Sequence, residues 1–306
     1  MRKIARYFVY IPCVLCAVFF FAWNSEAQTR SEFTLSTGYR VDELQWSIAG
    51  DINGCCPNIL SELTWSDISS YNVKAAYNFY EGQFLYGRAS LDYGFIFSGN
   101  NQDSDYLEDN HNSEFSRSNN NSDSGYVLDG TAGIGYRIRS VRGGVELIPM
   151  IGYSYHKQNL TITDGFQTIP ETGAFSGLDS SYRARWQGPW IGTDIHYATK
   201  QWALLTKLEY HLADYYAYAN WNLRDDFEHP VSYEHWADGS GFVFALDGDY
   251  KLNDRWSFVG TLDAQYWKAT SGLDRTYFSD GTSSDTRLNQ VVWDSYAALV
   301  GLKYTF

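Results

Sequence analysis

Beyond residue 28 the chain has no apolar run long enough to cross a membrane as a helix. Cysteine is almost absent. Of four in 306 residues, Cys13 and Cys16 lie in the N-terminal segment, which leaves only the adjacent pair Cys55-Cys56. Neighbouring cysteines bridge only with strain, and a zinc site needs more ligands than they supply. They read as a loop feature without catalytic consequence. No phosphate-cradling glycine loop, zinc-spaced His/Cys set or nucleophile elbow is present. No metal and no cofactor is expected. Positive charge is scarce too: 23 Lys and Arg against 36 Asp and Glu give −13. That balance argues against nucleic acid or an anionic headgroup as the main ligand and favours cationic partners.

What the chain has in quantity is aromatic side chains, 18% of residues with 25 Tyr and 11 Trp, at a mean hydropathy of only −0.38. Half-apolar strands bounded by aromatic girdles combine those two properties. The first 27 residues read as a removable signal. Arg2, Lys3 and Arg6 precede an apolar run from Phe8 to Ala22, and Ser25-Glu26-Ala27 offers a cleavage site. The mature chain then covers 28–306. A lipid anchor is not supported, because the usual small residues do not precede Cys13 or Cys16.

Period-2 alternation organises the mature chain. Trp256, Phe258, Gly260, Leu262, Ala264 and Tyr266 share one face of a strand, with mostly polar residues between them. Phe242, Phe244, Leu246, Gly248 and Tyr250 repeat the pattern against Asp247, Asp249 and Lys251. Applied throughout, it predicts ten strands near 32–50, 57–79, 83–99, 124–139, 142–163, 180–197, 201–220, 236–251, 254–270 and 289–306. Short spacers near 80–82, 140–141, 198–200 and 252–253 alternate with long polar ones near 51–56, 100–123, 164–179, 221–235 and 271–288.

The chain ends on Val300-Gly301-Leu302-Lys303-Tyr304-Thr305-Phe306, an alternating strand closed by an aromatic. These features predict an all-β fold: a ten-stranded antiparallel transmembrane barrel in the bacterial outer membrane, with short periplasmic turns and long extracellular loops. A soluble sandwich would show similar alternation, but several strands exceed the usual ~5–6 residues of soluble sheets. Arg88, Asp92, Asp129, Glu146, Asp194, Lys207, Glu209, Asp247, Asp263 and Lys303 should line the lumen and pair there. Ten strands are too few for a wide aqueous channel, which leaves a narrow or gated one open.

Two long loops carry residues suited to chemistry. Asp103 and Asp105 stand two apart, so one carboxyl can have a raised pKa and act as a base. The segment Arg224-Asp225-Asp226-Phe227-Glu228-His229-Pro230 sets a histidine among carboxylates. Facing the acid pair, such an imidazole could activate water for attack on an amide. The plain alternative is that loops are acidic because they are wet.

The strand-loop rhythm, Asp103-x-Asp105-Tyr106, Tyr182-Arg183-Ala184-Arg185-Trp186 with Pro189-Trp190-Ile191-Gly192, and the ending Gly301 to Phe306 together resemble the omptins, ten-stranded outer-membrane proteases. The resemblance spans the mature length. It implies that Asp103 and Asp105 position the attacking water, that His229 is the dyad histidine, and that Asp42, Glu114 and Asp225 grip a basic substrate side chain. The omptin dyad is Asp-x-His, whereas here Phe227 stands two residues before His229 and Asp226 three before. The omptin Ser-Arg-His stretch appears as Ser116-Arg117-Ser118.

A second resemblance is carried by Trp46-Ser47-Ile48-Ala49-Gly50-Asp51 and Pro57 to Trp65. This stretch is similar to the Protochlamydia outer membrane protein (Pom-type) family and implies porin activity. The combined expectation is a divergent omptin-like barrel acting as a porin or a surface-interaction protein. The alternative is an endopeptidase cleaving beside basic residues. Expected partners are outer-membrane lipid, lipopolysaccharide and cationic peptides or proteins, with no nucleic acid.

Overall fold

The computed structural model describes residues 29–139 and 144–306. The expected signal segment 1–27 and the turn at 140–141 lie outside the described residues. Every named element is a strand: β1 (Arg30–Ile48), β2 (Ser61–Glu81), β3 (Leu85–Glu108), β4 (Asn112–Asn121), β5 (Gly125–Tyr136), β6 (Ile138–Arg139), β7 (Val145–Ile169), β8 (Gly173–Ala174), β9 (Asp179–Ala198), β10 (Trp202–Asn220), β11 (Tyr233–Lys251), β12 (Trp256–Tyr277) and β13 (Ser283–Thr305).

They form ten antiparallel staves. β4 and β5 together make the fourth, β4 pairing β3 at the long-loop end and β5 pairing it at the short-turn end. Both also pair β7. The ring closes where β1 runs against β13 from Glu32–Thr305 to Ile48–Leu288. In lipid, an unpaired strand edge would cost several kcal/mol for each orphaned amide. Closure removes that edge.

Alternation selects the faces. Leu35, Leu91, Phe95, Ile151, Ile191, Phe242, Leu262 and Val300 stand outward and exposed, as a lipid-facing band requires. Trp202, Trp256, Tyr197 and Tyr304 edge the band at the short-turn end, where amphipathic rings favour a membrane interface.

Most strands are longer than the sequence expectation, but β2 opens at Ser61 rather than 57 and β1 ends at Ile48 rather than 50, because the residues between them form the β1–β2 loop. Much of 100–123 and 271–288, read as loop, is paired strand: Asn100–Glu108 against Asn112–Asn121, and Gly272–Tyr277 against Ser283–Leu288. Above the lipid both faces of a strand meet water, so the apolar half of the alternation vanishes although the ladder continues. Polarity there marks solvent, not the end of pairing.

The lumen has two tiers. Toward the short turns it is charged, as expected. The Arg88 guanidinium reaches across from β3 to Asp194 on β9 (2.9 Å) and Glu209 on β10 (2.7 Å). Arg40 on β1 reaches Asp129 on β5 (2.5 Å), and Lys207 meets Asp247 at 2.7 Å. The lumen histidines join these networks: His156 Nδ1 lies 2.9 Å from Asp129, and His211 Nε2 lies 2.8 Å from Glu209.

Toward the long loops the lumen is aromatic, which the expectation of an ionisable interior did not include. Trp46, Trp65, Trp186, Trp267, Trp293, Tyr182 and Tyr215 are buried in one cluster with aliphatic residues. Their rings bridge opposite walls. Trp46 on β1 meets Tyr182 on β9 at 6.1 Å between centroids, Trp65 stacks on Tyr182 at 5.1 Å, and His156 on β7 meets Trp293 on β13 at 5.7 Å. Glycine makes room for one of them: a Cβ on Gly241 would lie 2.4 Å from the Trp267 ring.

Arg88→Ala would leave Asp194 and Glu209 buried without their cation, a loss of about 3–5 kcal/mol. Denaturant unfolding followed by tryptophan fluorescence in detergent should show that drop. A change below about 1 kcal/mol, typical of exposed pairs, would mean that the network is hydrated.

Candidate functional site at the long-loop mouth

The lipid-facing band of β3 ends at Phe97, and the strand then continues in water to Glu108. Asp103 and Asp105 lie on this extension, separated by one residue and therefore on one side of the strand. Asp103 stands opposite Leu63 of β2 and Ser118 of β4, and Asp105 opposite Ser61 and Ser116. The Ser61 and Ser116 side chains favour the ionised form of Asp105, and the Trp221 side chain that of Asp103. Burial, followed by the neighbouring Asp105 charge, pushes the Asp103 carboxyl well above the usual carboxylate range. Burial also raises Asp105. The pair therefore holds a proton more tightly than two ordinary aspartates.

The segment 221–232 closes over this side of the mouth. Its Arg224 is gripped by Asp226 through two bonds of 2.8 Å and lies 4.0 Å over the Phe227 ring. Arg224 contributes the main positive charge acting on both Asp103 and Asp105. Phe227 packs against Phe278 of the β12–β13 connection at 5.8 Å, and backbone bonds Glu228 N to Tyr277 O and Ser279 N to Asp226 O complete the staple. Phe227 thus anchors the loop to the β12–β13 connection.

The structure thus brings Asp103 and Asp105 together, with Trp221 and Arg224 as close neighbours that sequence reading did not select. Asp226 spends its carboxylate on Arg224, which holds it below the ordinary Asp value. His229 Nδ1 lies 2.7 Å from the Asn220 amide oxygen, and no carboxylate partner for it occurs among the described residues. Of the residues expected to grip a basic side chain, Asp225 is exposed at the rim. Glu114 is held by Arg117 through bonds of 2.7 and 2.5 Å. Asp42 is buried inside the barrel, clamped by Arg40 at 2.8 and 2.9 Å and by the Trp293 indole at 2.8 Å.

Beneath the mouth lies a second histidine, fully buried. His235 Nε2 is 3.0 Å from Asp274, and its Nδ1 is 2.9 Å from the Tyr182 hydroxyl, itself 2.5 Å from that of Tyr215. Its one sequence signal was the inward register of Tyr233 and His235, hidden by reading 221–235 as loop. Cys55 and Cys56 are joined as a disulfide in the β1–β2 loop. Asp109 accepts from the Asn58 amide at 2.7 Å and ties that loop to the β3–β4 tip.

Charge is concentrated at this end. Segments 49–62, 99–124, 161–181, 218–236 and 270–290 contain eighteen Asp and Glu, four Arg and no Lys. Essentially the whole negative balance of the chain sits there.

A closed barrel with a lipid-facing band, girdle aromatics and paired charges inside is a bacterial outer-membrane β-barrel protein. The chain belongs to the Pom family, described as Protochlamydia outer membrane protein, whose model matches residues 34–306. No curated protein matches it by sequence. Among solved structures it is similar to the outer membrane protease OmpT from Escherichia coli, with TM-score 0.74 and 16% identity over 90% of this chain and 97% of that one. The translocator domain of the autotransporter NalP from Neisseria meningitidis aligns over 91% of this chain and 89% of its own, at 13% identity and TM-score 0.38. The OmpT likeness establishes a shared fold.

Asp103→Asn should separate the acid pair from ordinary surface carboxylates. Because the folded protein raises this carboxyl, the ionised form is disfavoured on folding. That penalty is present above the folded titration and absent below the unfolded value of ~3.9. The variant should therefore unfold at higher temperature than the parent at pH 7 and at the same temperature near pH 3. Equal differences at both values, read by circular dichroism, would contradict the coupling.

Proposed function

We propose that this protein is a non-conducting surface-interaction barrel whose acidic mouth, directed outward from the cell, docks cationic peptide segments. The observation that carries the reading is the ring-to-ring bridging of opposite walls by Trp46, Tyr182, His156 and Trp293. A lumen spanned by stacked indoles and phenols, with charged groups paired beneath, gives ions no continuous wet path. The porin activity suggested by family resemblance therefore has less physical support than interaction at the rim.

Electrostatics supply the partner chemistry. A mouth with eighteen carboxylates and no lysine steers cationic segments toward it, most strongly at low ionic strength. On the outer wall, Arg183 and Arg185 lie over the rings of Tyr218 and Tyr216, and Lys157 over Tyr126. These cations stand above the lipid band, where anionic lipopolysaccharide headgroups would meet them.

Proteolysis is the second reading, favoured by the raised acid pair alone. With His229 turned to Asn220, Asp103 itself would have to act as the base toward water. Cleavage of dibasic peptides by refolded protein with lipopolysaccharide, abolished in Asp103→Ala, would establish that reading. Absence of cleavage would leave docking.

Two measurements test the proposal. Planar bilayers containing the protein should stay silent at every applied voltage, and stepwise currents would refute closure. A fluorescent arginine- and lysine-rich peptide should bind with an affinity that falls as salt rises. Replacing both Asp103 and Asp105 by Asn should weaken it about tenfold, equivalent to ~1.4 kcal/mol. Because both carboxyls are raised, binding should strengthen as pH rises through their titration.

A further inference from the structure

The mouth proposed to dock cations contains four arginines of its own, Arg117, Arg224, Arg275 and Arg287. Three are tied into the scaffold. Arg117 grips Glu114 on the same strand, and Arg275 spans its hairpin to Asp285 through two bonds of 2.6 Å. Arg287 donates to Asn289 and to the Asn53 and Gly54 carbonyls, which joins β13 to the β1–β2 loop. Arg224 is placed differently. It is the cation whose charge bears on both Asp103 and Asp105.

Chain geometry delivers it there. The β10–β11 loop is pinched at its base, where Ser232 N donates to Ala219 O at 2.8 Å and Trp221 N to the Ser232 hydroxyl at 2.9 Å. Trp221, whose side chain neighbours Asp103, accepts through its carbonyl from Arg224 N at 3.0 Å, and the Arg224 carbonyl accepts from Phe227 N at 2.9 Å. Two successive turns therefore set Arg224 one turn from a residue beside the acid pair, and the Phe227–Phe278 contact fixes them. Asp226 holds the guanidinium in a fork of two 2.8 Å bonds, over the Phe227 ring. The two side chains are 51% and 57% exposed, so water and competing charges reach the fork and weaken it.

We propose that Arg224 is a built-in competitor for the docking site, a tethered guanidinium that an incoming basic side chain displaces from the field of Asp103 and Asp105, with Asp226 holding it partly aside. The inference rests on the docking reading of the mouth and adds its regulation. Affinity for cationic segments is set by how Arg224 divides between Asp226 and the acid pair. A tethered competitor has a fixed and high local concentration. A lone basic side chain therefore gains little by replacing it, and a segment carrying several is favoured.

The test uses the full barrel in detergent and a fluorescein-labelled oligo-arginine peptide, at low salt and at a pH above the titration of the acid pair. Arg224→Gln should bind the peptide about threefold more tightly than the parent, the size of one exposed charge contact. Asp226→Asn, which releases Arg224 toward the pair, should bind about threefold more weakly. The double variant separates a tethered competitor from simple net charge. If Asp226 acts only through Arg224, the double variant matches Arg224→Gln; if charge alone matters, the two changes cancel and it matches the parent. Arg224→Met stands in should Arg224→Gln fail to give the heat-modifiable band of a folded barrel. A double variant equal to the parent, or Arg224→Gln no tighter than the parent, would overturn the competitor and leave docking intact. No salt-sensitive binding by any of the four proteins would overturn docking, and the competitor with it.

Discussion

A chain immersed in hydrocarbon can leave no backbone amide or carbonyl without a partner, and here the β1–β13 ladder meets that condition. Everything else follows from where it forces side chains to go. Once the ring is shut, each strand has one face for lipid and one for a narrow lumen. Residues on the inner face must then satisfy one another across the bore. They do so by two kinds of chemistry. Ion pairs such as Arg88 with Asp194 and Glu209 tie distant staves at one level. Stacked rings such as Trp65 on Tyr182 do so at the other.

Much of this was legible in the primary structure, and the reasons are specific. Leu91, Phe95 and Phe97 alternate with Asp92 because lipid and lumen demand opposite chemistry of adjacent residues, and that contrast is what a reader detects. Where the demand lapses, so does the signal. Asn100 to Glu108 is as much a strand as Leu85 to Phe97, yet water on both sides removes the alternation and it reads as loop. The aromatic tier was hidden for a related reason. Trp267 and Trp293 point inward, but in a barrel an isolated indole is expected at the lipid boundary, and nothing local says otherwise.

The mouth was partly legible. Asp103 and Asp105 were found because their spacing alone guarantees a common side. Their neighbours Trp221 and Arg224 come from a segment more than a hundred residues away, brought over by the Phe227–Phe278 staple and the Glu228–Tyr277 backbone bond. No spacing rule encodes such a contact. The same staple accounts for the fate of Asp226 and His229, which sequence reading set beside the acid pair. Once Phe227 is pinned to the hairpin, Asp226 is left to Arg224 and His229 to Asn220. Asp42, chosen by resemblance, belongs instead to the ion-pair level inside the barrel.

The ribbon from Phe97 to Glu108 has a spatial consequence. At about 3.3 Å per residue and a typical barrel tilt, it lifts its tip roughly 30 Å beyond the hydrocarbon edge. The sugar layer coating an outer leaflet is bulky, and a recognition surface lying flush with the lipid would be buried in it. With the outward orientation and docking role proposed above, these stiff paired extensions would act as a pedestal, carrying the carboxylates to a height at which a passing macromolecule could touch them without entering the carbohydrate.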